Sequence, residues 1–286
     1  MPLLTRPVSP ALRPFVRALW VHRPDGSAAP SPRERVLPTG APHLVFRFSD
    51  APLRIFDTPD SQAAREVSGA LVGGPRSRFY VRDVSAPAPS VGAQLEPGAA
   101  ALLFGVPADE LSERHTSLAD LWGPAADEAH ARIAEARTWQ AQLDAFEAIL
   151  GARLPRVRGV HPAVADALAH LSSEDGAEIG TLVERSGYSH RFFLSLFRNA
   201  VGLTPKVFAR LSRFQRALVA LRTGRASGAQ VAAALGYSDQ AHFHRDFVAF
   251  SGVAPGRYQS IAPSSPNHVP VEDGPSRFKS VQYGSR

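Results

Sequence analysis

The sequence has no cysteine and a single methionine among its 286 residues. The absence of cysteine excludes disulfides, thiolate metal sites and cysteine nucleophiles. No apolar run approaches the roughly 18 residues that a membrane-spanning helix requires. The start of the chain, Met1 to Pro7, also lacks the apolar core of a signal peptide. We therefore expect a protein that does not cross a membrane and that resides in the cytoplasm.

The common signatures of catalysis and cofactor binding are missing as well. The sequence contains no Gly-x-Ser-x-Gly elbow, Walker loop or dinucleotide fingerprint. His242 and His244 are not spaced as metal ligands, because residues two apart on a helix point about 200° apart. His43 lacks the nearby His and Glu residues of a cupin-type metal site, which favours a structural or pocket-lining role. We therefore predict no catalytic residue, no metal and no cofactor, and a protein that is not an enzyme.

Acidic residues are absent from one long stretch, 185–238, which contains nine basic residues. The wider region 156–261 carries 13 basic and 7 acidic residues, and this surplus equals the formal net charge of +6. A basic stretch is often only a solvated face. Nine basic residues without one acid nevertheless favour phosphate neutralisation, the interaction that drives binding to nucleic acid. The nine are Arg185, Arg191, Arg198, Lys206, Arg210, Arg213, Arg216, Arg222 and Arg225.

The region 182–258 contains one pattern twice. The triplet Gly-Tyr-Ser at 187–189 recurs at 236–238, a shift of 49 residues, whereas Phe193 recurs as Phe243, a shift of 50. The second copy has therefore gained one residue near the start of its later helix. A repeat with this period indicates a duplicated supersecondary unit.

Each copy predicts two helices joined by a tight turn. The glycine of the triplet gives the turn its permissive backbone, and Ser189 in the first copy can cap the next helix. In the second copy the cap is either Ser238 or Asp239. Apolar side chains then follow at helical spacing and form one buried stripe, in the second copy Phe243, Phe247 and Phe250. This layout is that of a helix-turn-helix, whose second helix enters the major groove of DNA.

A single helix from about Pro205 to Arg222 is predicted between the two copies. At about 1.5 Å per residue it would be roughly 27 Å long. Successive major-groove faces of a duplex lie roughly 34 Å apart. One rigid helix can therefore place both units on the same side of double-stranded DNA, which we predict as the partner.

Two phrases of the second copy carry a resemblance to a known family. They are Gly-Tyr-Ser-Asp-Gln-Ala-His-Phe-His-Arg-Asp-Phe at 236–247 and Gly-Val-Ala-Pro-Gly-Arg-Tyr at 252–258. Residues 161–260 resemble the tandem helix-turn-helix domain of the AraC/XylS family of transcription regulators. The resemblance implies a sequence-specific DNA-binding regulator, with RNA polymerase and a second copy of the chain as further candidate partners.

The same resemblance suggests which side chains contact DNA. In that family the second recognition helix often carries Gln at the position of Gln240 and Arg at that of Arg245, and both commonly reach bases or phosphates. Ser195 and Val248 depart from the pattern, because relatives usually carry long polar or basic side chains there. We therefore expect the second unit to supply most of the sequence discrimination. The predicted DNA-contacting residues are Arg191, Ser195, Arg198, Asn199, Gln240, Ala241, His244 and Arg245.

The first half alternates short apolar runs with Pro, Gly, Asp and Ser, which predicts a small antiparallel sheet or barrel. Residues 1–34 are predicted as an extended segment rich in proline. The predicted strands lie at 44–48, 53–56, 70–73, 79–84 and 91–95, and the predicted helices at 99–104, 125–136 and 138–150. The last helix has an apolar stripe that begins at Trp139. We favour packing of this stripe on the sheet over a role as a dimer surface.

Several phrases of the first half resemble a poorly characterised sensor-like domain that precedes this DNA-binding domain in some regulators. They include Arg-Val-Leu-Pro-Thr-Gly at 35–40, Glu-Pro-Gly-Ala at 96–99 and Leu-Ala-Asp-Leu-Trp-Gly at 118–123. Relatives usually have acidic residues where this chain has Thr39 and His43. The half is nearly neutral and shows no catalytic constellation. We therefore predict that it binds a small-molecule effector in the interior of its sheet.

Taken together, the sequence predicts an α+β protein of two domains. Residues 1–155 form a small, β-rich, barrel-like domain with helices, residues 156–261 an all-α tandem helix-turn-helix domain, and residues 262–286 a disordered tail rich in Pro and Ser. One alternative is a DNA-targeted repair enzyme fused to such a domain. It is disfavoured because those proteins depend on reactive cysteines. A helical repeat protein that binds other proteins fits poorly with only two copies.

Overall fold

A computed structural model describes residues 3–26, 29, 31–154, 157, 159–173, 178–223 and 227–272. Its strands are β1 Leu3–Arg6, β2 Val16–His22, β3 Arg33–Val36, β4 His43–Arg47, β5 Leu53–Phe56, β6 Arg65–Val67, β7 Ala70–Gly73, β8 Tyr80–Asp83, β9 Ser90–Leu95, β10 His115–Ser117 and β11 His268–Pro270. Its helices are α1 Ala99–Phe104, α2 Ala108–Leu111, α3 Leu118–Trp122, α4 Ala125–Glu135, α5 Trp139–Ala152, α6 Pro162–Ser172, α7 Ile179–Ser186, α8 His190–Val201, α9 Pro205–Arg222, α10 Gly228–Ala234, α11 Gln240–Ser251 and α12 Pro255–Ile261. The predicted α+β class, with a β-rich first half and a helical second half, is confirmed.

The first half contains two antiparallel sheets. One has six strands in the order β1-β2-β9-β4-β7-β10, and the other has five in the order β11-β3-β8-β5-β6. Side chains alternate along β4, so that Leu44 and Phe46 enter the apolar core while His43 lies on the other face beside His115. Tyr80 of the second sheet meets His115 of the first, with ring centroids 4.7 Å apart. The two sheets therefore face each other through polar and aromatic side chains.

Helices α4 and α5 cover the apolar face of the six-stranded sheet. Phe146 of α5 meets Phe46 of β4 edge-on, with ring centroids 5.3 Å apart. Leu143 and Leu150 are fully buried in the same core, and Trp139 is partly buried against it. The stripe of α5 thus packs on the sheet, which is the arrangement that we favoured over a dimer surface.

The helices α6–α12 surround a second core. The connecting helix α9 runs from Pro205 to Arg222 as predicted. Thr204 ends the preceding loop because its hydroxyl accepts a hydrogen bond from the N–H of Val207. Pro205 occupies the first turn, where an α-helix does not need the missing N–H. With 18 residues α9 extends about 27 Å.

The prediction of a disordered tail from Ala262 was wrong for residues 262–272. β11 pairs with β3 in an antiparallel register that sets His268 opposite Val36. Val269 is fully buried, and the hydroxyl of Tyr258 donates to the carbonyl of Pro266 at 2.9 Å. A partner strand outside the segment therefore orders it, which its own composition does not indicate. Residues 273–286 of that tail lie outside the described residues, as do 155, 156 and 158 of the predicted boundary between domains.

An ionic cluster joins β11 to the second sheet. Glu34 of β3 accepts a hydrogen bond from Nε of Arg82 at 2.6 Å and pairs with His268 at 2.7 Å. Burial alone would raise the pKa of Glu34, but Arg82 and His268 outweigh it and lower the pKa to about 2. The carboxylate is therefore ionised at neutral pH and holds the C-terminal strand to the sheet.

Two strands of the six-stranded sheet lie within residues 1–34, where the sequence pattern predicted no strand. β2 pairs with both β1 and β9, and Leu19 and Val21 of β2 are buried. The register shifts between Val16 and Ala18, which marks a bulge. No helix in the described ranges is both long and apolar enough to cross a membrane.

Candidate nucleic-acid interface

The first unit consists of α7, a turn at Gly187 and α8. Gly187 has a φ of 70°, a left-handed backbone that glycine adopts without steric cost. Ser189 then caps α8, because its hydroxyl accepts a hydrogen bond from the N–H of Phe192. Phe193 and Phe197 are fully buried, so α8 turns its opposite face outward.

The outward face of α8 carries the four residues that the sequence predicted to contact DNA. All four are exposed: Arg191, Ser195, Arg198 and Asn199. Arg198 is held to the first half of the protein, since its Nε lies 3.2 Å from Oδ2 of Asp109 in α2. The Arg198 side chain is 60% exposed, which makes this a weak, solvent-screened ion pair.

The second unit consists of α10, a turn at Gly236 and α11. Gly236 repeats the left-handed backbone of the first turn, with a φ of 67°. Asp239, and not Ser238, caps α11, because its carboxylate accepts a hydrogen bond from the N–H of His242 at 2.6 Å. This hydrogen bond is the main reason that the pKa of Asp239 is lowered. The residue gained in the second copy therefore lies between the turn and the cap.

The outward face of α11 again carries its four predicted residues. All are exposed: Gln240, Ala241, His244 and Arg245. Within the described part of the chain Arg245 forms no ion pair, and the nearby carboxylate of Asp239 is engaged in the helix cap. The guanidinium of Arg245 is therefore available to a ligand outside the protein.

The inner face of α11 contains a buried carboxylate. Asp246 is 6% exposed and accepts two hydrogen bonds from Arg210 of α9, at 2.7 Å from Nη2 and 3.3 Å from Nε. These bonds raise the pKa of Arg210. The pair fixes α11 on the connecting helix, and so fixes the direction in which its outward face points.

Three arginines of the acid-free stretch 185–238 pair with carboxylates that lie outside it. The pairs are Arg185 with Asp166, Arg198 with Asp109 and Arg210 with Asp246, at 2.7, 3.2 and 2.7 Å. Arg191 and Lys206 remain exposed. The absence of acids along the sequence therefore overstates the positive charge that the folded domain offers to DNA.

An exposed aromatic pair, which the sequence pattern did not indicate, lies at the start of α8. Tyr188 and Phe192 are 38% and 52% exposed, and their ring centroids are 4.8 Å apart. The equivalent tyrosine of the second unit, Tyr237, is 7% exposed and packs on Phe243. The two tyrosines have the same place in the repeat, so the sequence gives no signal that only one of them is exposed.

A loop of the first half, residues 74–79, contacts the C-terminal ends of both recognition helices. Gly202 follows α8, and a Cβ there would lie 2.4 Å from Cγ of Pro75. Gly252 follows α11, and a Cβ there would lie 2.5 Å from the ring of Phe79. Ser112 also donates a hydrogen bond to the carbonyl of Gly202 at 2.6 Å. The first half thus touches both units at equivalent positions.

Polar side chains occupy the space between the two sheets, where the sequence predicted an effector. Burial lowers the pKa of His43 to about 4 and that of His115 well below its ordinary value, so both are neutral at pH 7. Arg76 is also buried, and its Nη2 lies 3.1 Å from Nδ1 of His115. Nε of Arg76 and Nε2 of His115 have no hydrogen-bond partner among the described residues. We refer to these three residues as the inter-sheet cluster.

The described residues also form two open clefts outside that space. One, of about 350 Å³, lies between the edge of the six-stranded sheet and α4 and α5. The other, of about 380 Å³, lies where the sheet meets α9, and its lining includes Thr39, Gln94, Phe208 and Gln215. The described residues contain no group of three side chains placed to hold a metal ion.

Two family profiles match separate parts of the chain. Residues 182–261 match a family described as a helix-turn-helix domain, and residues 5–117 match one described as a Domain of unknown function (DUF6597). The first match covers the two units described above. Residues 182–261 form an AraC-type helix-turn-helix domain. The resemblance to the AraC/XylS family is thereby confirmed for this domain, whereas the family that matches residues 5–117 has no assigned function.

One curated relative of the chain is the F1 operon positive regulatory protein of Yersinia pestis. It is 34% identical over 83 residues, a stretch that covers 29% of the present chain and 28% of the relative. The similarity thus spans little more than a quarter of that regulator and about the length of one AraC-type domain.

Three solved structures to which the chain is similar illustrate the extent of the match. A ToxT protein of Vibrio cholerae superposes with a TM-score of 0.46 and 12% identity, over 90% of this chain and 100% of that one. An AraC-type regulator of Chromobacterium violaceum gives 0.34 and 21%, over 36% and 94%. The DNA-binding domain of AdpA, solved with a target DNA, gives 0.30 and 28%, over 34% and 86%.

Proposed function

We propose that this protein is a sequence-specific transcription regulator that inserts α8 and α11 of its AraC-type domain into successive major-groove faces of double-stranded DNA. The observation that carries the proposal is the pair of outward helix faces, each with four exposed residues at the predicted positions. One continuous helix, α9, separates the two units and sets the spacing between them. RNA polymerase and a second copy of the chain remain candidate partners of such a cytoplasmic regulator.

The exposed side chains divide by chemistry into those suited to bases and those suited to phosphates. Arg245 has a planar fork that can bind two guanine acceptors, and Gln240 lies in the first turn of the same helix. Arg191 and Arg198 flank the short Ser195 and are suited to phosphate contacts, which position a protein without selecting a sequence. Hydrogen bonding to bases is therefore concentrated in the second unit.

The test uses the full chain, because β11 follows the DNA-binding helices and completes the second sheet. Binding-site selection would define a preferred duplex, and its affinity would then be measured at increasing salt. We expect the logarithm of affinity to fall linearly with the logarithm of salt concentration. The double variant Arg191→Ala/Arg198→Ala should lower that slope by about two, since both arginines are assigned to phosphates.

Arg132→Ala is the matched control, since Arg132 is an exposed arginine of α4 on the first half. It should leave both affinity and slope unchanged. A folded full-length protein that shows no salt-dependent affinity for duplex DNA would refute the proposal. The competing interpretation, a DNA-targeted enzyme, would require a catalytic constellation, and the sequence predicts none.

We further propose that a small molecule regulates this DNA binding. Support comes from the loop 74–79, which contains Arg76 of the inter-sheet cluster and also packs on Gly202 and Gly252. A ligand that satisfied the unpartnered Nε of Arg76 would displace this loop, and both recognition helices would respond because the loop packs against them.

This part of the proposal is tested by thermal shift of the full chain against a panel of small metabolites. A ligand that raises the melting temperature should also change the affinity for DNA, and Arg76→Gln should remove both effects. Ligands that stabilise the chain but leave the affinity for DNA unchanged would contradict it.

A further inference from the structure

We propose that Phe192 recognises thymine methyl groups and gives the first unit its sequence preference, a role that rests on the proposed DNA-binding function. The starting observation is the exposed aromatic pair of Tyr188 and Phe192. The described residues include four large hydrophobic side chains that are clearly exposed, and two of them form this pair. The other two, Val157 and Val219, lie outside the recognition helices.

The position of Phe192 on α8 is that of a base-contacting residue. It is the third residue of α8, in the turn that enters the groove first. At about 100° per residue, Ser195 lies opposite the buried Phe193 and Phe197, and Phe192 lies on one flank of this outward face. Arg191 lies on the other flank. An apolar side chain and a cationic one therefore border a short central serine.

The chemistry of the major groove narrows what Phe192 can recognise. A phenyl ring has no hydrogen-bond donor or acceptor, and among the base edges in that groove only thymine presents a methyl group. Ser195 is too short to contact a base from the centre of the same helix face. Arg191 and Arg198 fit phosphates, which carry no sequence information. Asn199 lies in the last turn of α8, away from the turn that enters the groove first. The apolar contact of Phe192 is thus the means by which that first turn discriminates between bases.

Neighbouring side chains hold the ring in place. The Tyr188 ring packs on Phe192 with centroids 4.8 Å apart, and its hydroxyl lies 3.3 Å from Nε2 of His161 at the start of α6. A ring supported on one side is already ordered before DNA arrives, so little side-chain freedom is lost on binding. Tyr188 is a positioning residue in this arrangement.

The second unit lacks this arrangement. Counted from the helix caps, His242 occupies the place of Phe192, and it packs against the buried Tyr237 with ring centroids 5.3 Å apart. The aromatic contact there is edge-to-face and is made to a ring that lies in the core, not to an exposed one. The two units would therefore recognise different features of their half-sites, methyl groups in the first and hydrogen-bonding edges in the second.

Deoxyuridine provides the test, because it differs from thymidine only by the missing methyl group. Each thymine of the preferred duplex would be replaced in turn, and the affinity of the full-length protein would be measured. We expect one or two thymines in the half-site of the first unit whose replacement lowers the affinity of the wild-type protein about fourfold, the factor associated with burial of one methyl group. Phe192→Ala should bind the unmodified duplex more weakly and should no longer distinguish the two bases.

Two control variants separate this role from loss of structure. Val219→Ala removes an exposed apolar side chain of α9 and should keep the full response to deoxyuridine. Phe192→Leu keeps an apolar surface and should keep part of it. Equal responses of the wild-type protein and Phe192→Ala, or no response in either, would overturn the inference while DNA binding itself stands. Failure of the wild-type protein to bind any duplex would instead refute the proposed function.

Discussion

The two helix-turn-helix units share a backbone plan and differ in almost every outward side chain. Both turn at a left-handed glycine, and both bury phenylalanines of the recognition helix, two in α8 and three in α11. The first unit exposes an aromatic pair and binds its Arg198 to Asp109 of the first half. The second exposes Arg245, which forms no ion pair within the described residues, and buries its own carboxylate, Asp246, against α9.

The two units are also held in place by different contacts. The buried ion pair between Asp246 and Arg210 holds the second unit to the connecting helix of its own domain. The ion pair between Arg198 and Asp109 holds the first unit to α2 of the first half. A conformational change in the first half would therefore reach the first unit more directly, although the loop 74–79 touches both.

The largest expected effect concerns stability. Asp246→Asn removes a buried charge that two hydrogen bonds hold to Arg210, and we expect it to lower the free energy of unfolding by about 2–3 kcal/mol. Asp109→Asn breaks the corresponding exposed pair of the first unit and should cost less than about 1 kcal/mol. Urea denaturation of both variants tests this ranking. Equal losses in the free energy of unfolding would show that the two ion pairs stabilise the protein to the same extent.

The next effect concerns base preference. Arg245→Ala should weaken binding to the preferred duplex by about 1–3 kcal/mol and relax the preference at one or two positions. Binding-site selection with the variant is the measurement. If the variant retains the wild-type motif while Phe192→Ala blurs it throughout, the assignment of hydrogen-bonded recognition to the second unit is wrong.

A smaller effect should follow from release of Arg198. Asp109→Asn frees this arginine for a phosphate, so affinity for all duplexes should rise, by less than about 1 kcal/mol. Arg198→Ala should weaken all duplexes alike and lower the salt slope by about one. The double variant should bind like Arg198→Ala alone. A further gain in the double variant would mean that Asp109 acts on another residue.

The smallest effect should appear at high pH. Burial raises the pKa of Tyr237 from 10.0 to about 12, so the folded chain keeps this proton at a pH where the unfolded chain loses it. Its contribution to stability is complete below pH 10 and declines as the pH rises toward 12. Tyr237→Phe should therefore lose less thermal stability than the wild type between pH 10 and about 12.

The parts of the fold that the sequence predicted best are those with local signals. α9 has the predicted bounds, and its start was predictable because Thr204 and Pro205 mark it within the sequence itself. Strands β4, β5, β7, β8 and β9 lie within a residue of the predicted runs because apolar side chains fill them. β11 was missed because its signal is not local: it pairs with β3 across more than 200 residues of chain.

In the candidate interface, too, only the features with local signals could be predicted from the sequence. The eight predicted residues are all exposed, since the buried phenylalanine stripe fixes which face of each helix turns outward. The sequence did not indicate that Arg198 meets Asp109, or that Tyr188 is exposed while Tyr237 is not. Both facts depend on packing between distant segments. Whether the eight residues touch DNA stays a prediction.

β11 has a consequence for how the two halves stay together. The chain builds most of both sheets, continues into the DNA-binding helices and then returns, so that its C-terminal strand lies beside β3. A cut between Leu154 and Val160 would therefore not release the second half, which still supplies an edge strand and the His268 contact to Glu34. The nicked protein should migrate as one species, and the two fragments should reassemble when mixed, as complementing halves of a split protein do.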